Sequence, residues 1–230
     1  MSDDHTPFES PFNAIPPVVL ILVVAVMAIE LTLSAGATGL VGGPGAIGWR
    51  LAALQDYAFS PAVLDYVWSG SDRSPDLLMR FVTYAFVHGS FTDALFGAAL
   101  LLALGKFVGD VFAPVATVAV FVLGTVAGAL AFGLFVGGTM PLFGVWPAVY
   151  GLIGAFTYIL WLRLGAAGQN QVAAFRLIGF LLGLQLVFGL LFGSSPIWIA
   201  ELAGFAVGFA ASTVLAPGGW SALLVRLRQR

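Results

Sequence analysis

Few side chains in the apolar parts of this sequence could move a proton or attack a bond, and they fall at three places. His88 lies in FVHGSFTDALFG, with Asp93 five residues on. Trp146 and Pro147 open the run GVWPAVYGLIG, residues 144–154. Glu201 stands in IAELAGFAVG. A hydrolase built on a hydroxyl needs a base within hydrogen-bond reach and donors for the oxyanion. The sequence has two histidines, and His5 belongs to a polar N-terminal tail, which leaves His88. Its nearest hydroxyls in sequence are Ser90 and Thr92. Trp146 has no nucleophilic atom, and Pro147 removes a backbone N–H close by. Asp93 and Glu201 could share a proton as an acid dyad does, but no GxGD-type motif surrounds either. Ionisable groups at membrane depth can also pass protons or ions. The plainer reading, which the sequence favours, holds both acids by hydrogen bonds to Tyr84, His88, the Trp146 N–H or water. Trp146 would then plug a cavity, with Glu201 as the expected acceptor for its N–H. There are no cysteines, so no thiol nucleophile or thiolate metal site exists. No metal and no cofactor is implied.

The elements that must carry these residues are membrane helices. Of 230 residues, 60% are hydrophobic and 9% are charged, against about 25% charged in soluble domains. A span needs about 20 apolar residues. Six runs qualify: Pro17 to Ser34, Arg80 to Leu104, Pro114 to Val136, Pro147 to Leu164, Val172 to Phe192 and Pro196 to Leu215. Glu30, near the end of the first, is expected to snorkel or to bond locally. Residues 35–78 mix Gly, Pro and Asp with Trp49, Tyr57, Tyr66 and Trp68. They are expected to form short amphipathic helices in the membrane interface. Pro147 suits the first turn of a helix. Gly124 with Gly128, and Gly204 with Gly208, recur four apart, and Gly154 lies on one face with Tyr150 and Gly151. Such glycines allow close helix packing. Lys106 and Asp110 read as a solvated pair at a helix end.

With six spans, the N-terminus, Lys106, Arg163, Arg176, Arg226, Arg228 and Arg230 share one side, and Arg50, Arg73 and Arg80 the other. The basic residues therefore put both termini in the cytoplasm. The acidic N-terminus lacks the basic region of a cleavable signal. The expected organisation is a polar tail at 1–16, a transmembrane domain at 17–216 and a basic tail at 217–230. The net charge of −2 and the lack of a basic patch argue against nucleic acid as a partner.

Three segments resemble the rhomboid family of intramembrane serine proteases. Met79-Arg80 takes the place of a Trp-Arg pair, with Arg80 matching, and His88 matches an upstream histidine. Asp93 and Gly97 occupy the His and Asn of an HxxxN pattern on the oxyanion side. At GxSG, Gly144, Tyr150 and Gly154 match, but Trp146 stands at the serine and Pro147 at the following glycine. At AHxxGxxxG, Ala200, Gly204 and Gly208 match, but Glu201 stands at the histidine.

The resemblance implies an all-α, six-helix rhomboid-like bundle with a long interfacial first loop, anchored by Arg80, in the plasma (bacterial inner) membrane. It keeps the packing positions and lacks the Ser–His dyad, although the family label would be intramembrane serine endopeptidase. The expected function is that of a pseudoprotease that binds transmembrane helices or membrane-protein clients among the lipids, for assembly, trafficking or quality control. The alternative is a structural accessory subunit held stoichiometrically in a larger membrane complex, with Gly124 and Gly128 as the best candidates for an exposed stripe of small residues. A residual protease or an ion pathway ranks below both.

Overall fold

The structure is a computed structural model that describes residues 14–193 and 195–219; the expectations for His5, for most of both tails and for the tail arginines lie outside the described residues. The described chain is helical: α1 Pro17–Ala37, α2 Trp49–Tyr57, α3 Pro61–Ser69, α4 Pro75–Thr83, α5 Phe91–Gly109, α6 Pro114–Phe135, α7 Trp146–Ala166, α8 Arg176–Phe192 and α9 Ile197–Leu215, with 3-10 turns at Gly43–Gly48, Tyr84–Phe86 and Gln171–Phe175. Six of these helices, α1, α5, α6, α7, α8 with its 3-10 lead-in, and α9, are long and apolar enough to cross a membrane. The remaining three lie in or just after the first loop, and no strand occurs among the described residues.

The second span differs from the sequence expectation. A helix from Arg80 would have carried His88 into the second span. Instead α4 ends at Thr83, a 3-10 turn follows, and the chain is non-helical through His88 and Gly89. Ser90 then caps α5, its Oγ accepting the Asp93 N–H at 3.2 Å, and serine is a favoured cap because it satisfies one of the free N–H groups of a first turn. Arg80 therefore belongs to a short helix outside the spans. Asp93 moves into the first turn of α5, where a carboxylate suits the positive end of the helix dipole.

Helix α7 is the centre of the bundle. From Pro147 to Ala155 every residue on it is buried. Glycines let its neighbours approach at backbone distance. A Cβ at Gly204 would overlap the Pro147 carbonyl, one at Gly208 the Gly151 carbonyl, and one at Gly154 the backbone of Phe205. On the other side a Cβ at Gly124 would stand 3.1 Å from the Pro147 carbonyl oxygen, and one at Gly128 would stand 2.5 Å from the Pro147 ring. Dispersion and close backbone packing hold membrane helices together where no hydrophobic difference from lipid exists. Gly124 and Gly128 are thus spent inside the bundle, against α7, and offer no stripe to an outside partner.

The first loop closes over this core. Trp49 lies across Gly36 and Gly42, where a Cβ would come within 2.7 and 2.6 Å of its ring; Gly42 also has φ +79°, a left-handed conformation that glycine adopts without penalty. Leu64 of α3 fills the notch at Gly133 of α6. Phe59 and Leu142 exchange backbone hydrogen bonds of 3.0 and 2.7 Å, which ties the loop to the turn before α7. Helix α8 is the outlier: Ile178 is its one buried residue, and Leu186, Leu190 and Phe192 are 65, 78 and 78% exposed.

Candidate functional site

The entry turn to α7 is fastened, residue by residue, to the segment between α4 and the first turn of α5. Gly144 N–H donates to the Tyr84 carbonyl at 2.9 Å. Val145 N–H donates to His88 Nε2 at 3.2 Å. The Trp146 indole N–H donates to Asp93 Oδ1 at 2.8 Å. Gly144 has φ +95°, which turns the chain so that the three donors face one way; a side chain there would be strained. Its missing Cβ also makes room for the indole, 3.2 Å away at Cδ1. Pro147 follows without an N–H and begins the buried stretch.

His88 is fully buried. Burial lowers its pKa, against the raising influence of the Asp93 and Glu30 charges. The neutral ring suits the geometry, because Nε2 must be unprotonated to accept from Val145. That bond uses the nitrogen that a general base would offer, and Ser90 is occupied as the cap of α5. Gly97, one turn along α5 from Asp93, is small because Val145 lies against it; a Cβ there would be 2.6 Å from Val145 Cγ1. Tyr84 is buried, and its hydroxyl donates to the Thr125 carbonyl on α6 at 2.7 Å. Burial pushes its pKa well up, so it is a neutral donor.

Two residues that the sequence did not link to each other hold the other side of His88. Arg50 of α2 grips Glu30 of α1 with two bonds, 2.9 Å from Nη1 to Oε2 and 2.6 Å from Nη2 to Oε1. Nη1 also donates to the His88 carbonyl at 2.8 Å, and Ser34 completes the cluster. Glu30 is 1% exposed, so it does not snorkel: its carboxylate is neutralised in place. The bond to Glu30 raises the Arg50 pKa further, keeping the guanidinium charged. Arg50, rather than Arg80, therefore ties the first loop to the bundle in this structure; Arg80 Nε is buried with no hydrogen-bond partner among the described residues. The signal was available in the sequence. Glu30 is the sole acid of α1 and Arg50 the first base after it, and isolated opposite charges in an apolar chain seek each other.

Glu201 does not accept from Trp146. It is 6% exposed and bonds the Gln185 amide Nε2 of α8, with the Tyr150 hydroxyl of α7 also interacting with it. Indole to Asp93 and amide to Glu201 are two separate pairs, because Trp146 turns toward α5 while Glu201 faces α8. Gln185, too, was missed, although it is the one polar side chain between Leu177 and Phe192. Lys106 and Asp110 form the expected exposed pair, 2.9 Å apart. No group of metal-ligating side chains occurs among the described residues.

These features define a polytopic membrane protein whose central helix enters through a hydrogen-bonded turn beneath a folded first loop. A rhomboid domain model matches residues 75–218, and the chain belongs to the rhomboid family. A comparison with curated proteins finds no match.

Proposed function

We propose that this rhomboid is a pseudoprotease: it binds transmembrane segments of other membrane proteins and does not cleave them. One observation carries the reading. At the position of the family's serine stands Trp146, with its indole hydrogen-bonded to Asp93 at 2.8 Å. Serine-type catalysis needs a hydroxyl beside a base and preorganised donors at the oxyanion. Here the indole fills that place, Glu201 stands at the histidine, and the Val145 N–H is engaged by His88. Client binding is supported by what remains. The packing glycines around α7 keep the bundle rigid, while the apolar faces of α5 and α8 are open, with Phe96 62% and Leu186 65% exposed.

Photo-crosslinking residues at Phe96 and Leu186, in cells, test this. Capture of several single-span proteins, uncut and at low stoichiometry, supports client binding. One partner at a fixed ratio would make the protein an accessory subunit instead. Cleaved partners would overturn the assignment as a pseudoprotease. Both termini in the cytoplasm, and residence in the plasma (inner) membrane, belong to the same proposal, and reporter fusions at each end check the orientation.

A further inference from the structure

Between α8 and α9 lie two cavities of about 430 and 340 Å³ that share Gln185, Gly189 and Trp198 as walls. They differ in chemistry. The smaller reaches the α8–α9 turn and sets Trp146, Ser195 and Glu201 among the apolar Phe188, Phe192 and Ile197. The larger runs down the helices and is lined by Leu182, Leu186, Leu190 and Leu202. From Leu182 to Phe192 is ten residues, about 15 Å of helix, or half of a bilayer core of about 30 Å. The cleft therefore has the length of one leaflet, and its two parts lie side by side along α8, the one facing Trp146 and Glu201 and the other facing Leu202, with Gln185 on the wall between them.

Its polar part is incomplete. Gln185 spends its Nε2 on Glu201, and its Oε1 is buried with no partner among the described residues. A buried acceptor without a donor is costly, more so at membrane depth. Gln185 lies about 10 Å along α8 from its end and Glu201 about 6 Å along α9 from its start, so the polar pair sits well inside the cleft. Volume and lining are those of a small-ligand site, with mostly apolar walls and a few placed polar groups.

We infer that this cleft binds one lipid of that leaflet, a single-chain amphiphile with a hydroxyl or amine donor at its head. The donor meets Gln185 Oε1 beside Glu201, and the chain lies along Leu182, Leu186, Leu190 and Leu202. The inference does not depend on client binding.

The test uses the full-length protein in nanodiscs and the fluorescence of Trp198, which is 44% exposed and borders both cavities. The probes are three 9,10-dibrominated C18 chains: a monoacylglycerol, an alkylamine, and a methyl ester that lacks a donor. The expected result is saturable quenching by the monoacylglycerol or the amine at low mole fraction, reduced in Trp198→Phe to what Trp146 on the smaller cavity contributes. The methyl ester should bind about tenfold more weakly, the equivalent of one hydrogen bond. Gln185→Leu should remove that difference. Leu202→Phe, which narrows the apolar part and leaves the polar groups in place, should weaken every probe. The monoacylglycerol and amine arms separate a neutral head from a cationic one. Equal affinity for all three chains, no saturable quenching, or an unchanged preference in Gln185→Leu in protein whose unfolding midpoint matches the parent would each overturn the inference.

Discussion

Trp146 donates its indole N–H to Asp93 across 2.8 Å, and the bond is the last of three that join consecutive residues of the α7 entry turn to Tyr84, His88 and Asp93. The acceptors come from three kinds of structure: a 3-10 turn, a loop and the first turn of α5. The turn is therefore fixed by everything that fixes His88, including Arg50 and Glu30 behind it. A plug held in this way is a built part of the fold.

Replacing either partner of that last bond should cost unequally. Trp146→Phe leaves Asp93 without its donor and should destabilise by about 1–2 kcal/mol. Asp93→Asn keeps an oxygen that can accept, and should cost less than about 1 kcal/mol. Asp93→Leu should resemble Trp146→Phe. Unfolding midpoints in one detergent give the order, and equal losses for Asn and Leu would show that the indole N–H has another acceptor.

The Arg50–Glu30 pair is buried on the carboxylate side, and removing one member of such a pair leaves an uncompensated charge. Arg50→Met should therefore cost about 3–5 kcal/mol. Arg50→Lys should recover only part of this, since an ammonium cannot reproduce the bidentate grip. Glu30→Gln combined with Arg50→Met should be milder than Arg50→Met alone, because the stranded charge is gone. Chemical unfolding of the four proteins decides it.

His88 gives the fold a pH dependence with a definite sign. Its pKa is lowered by burial in the native state, so the unfolded chain binds the proton more readily. Stability from this group is complete above the ordinary histidine value of about 6.5 and falls as the pH drops through that value toward the lowered native one. His88→Gln, which can still accept from Val145, should flatten this part of the profile. Asp93→Asn removes a charge that raises the His88 pKa; the decline should begin at the same pH but continue to lower pH and become deeper. Unfolding midpoints between pH 7.5 and 5 measure both.

The glycines around α7 should rank by what an added methyl meets. At Gly204 and Gly208 it meets backbone carbonyls of α7, which cannot move without moving the helix. Alanine there should cost more than about 3 kcal/mol or prevent accumulation, beyond the usual cost of overpacking. At Gly97 it meets a valine side chain at 2.6 Å, and about 1–2 kcal/mol is expected. Thermal unfolding of the three alanine variants tests the order.

Much of this was legible from the sequence because apolar runs and glycine spacing report directly on helices and their packing. Five of the six spans begin or end within a few residues of where hydropathy puts them. The second did not, because FVTYAFVHGS is apolar enough to continue a helix and only tertiary contacts, with Tyr84 held on α6 and His88 on Val145, decide that it turns. The pairing of polar groups was the harder part. Trp146 has two carboxylates within the same region, and which one it meets depends on a side-chain direction that spacing does not encode. Gln185 and Arg50 lie outside every motif, so nothing but the scarcity of polar residues around them marked their roles.

Restoring the family's residues at the dyad should not restore cleavage. Trp146→Ser, Pro147→Gly and Glu201→His together would supply a hydroxyl, a flexible turn and an imidazole. The oxyanion side would still hold Asp93, whose charge opposes a developing negative oxygen, and Gly97, which donates nothing. Each missing donor is worth on the order of 100- to 1000-fold in rate. Adding Asp93→His and Gly97→Asn meets a packing barrier, because Val145 Cγ1 already stands 2.6 Å from where a Cβ at position 97 would be. Val145→Ala is the change that makes room. The three-residue variant should label weakly with a serine-directed fluorophosphonate and leave a model transmembrane substrate intact. Cleavage should require all six substitutions. Turnover by the three-residue variant alone would mean that some other donor already faces the oxyanion position.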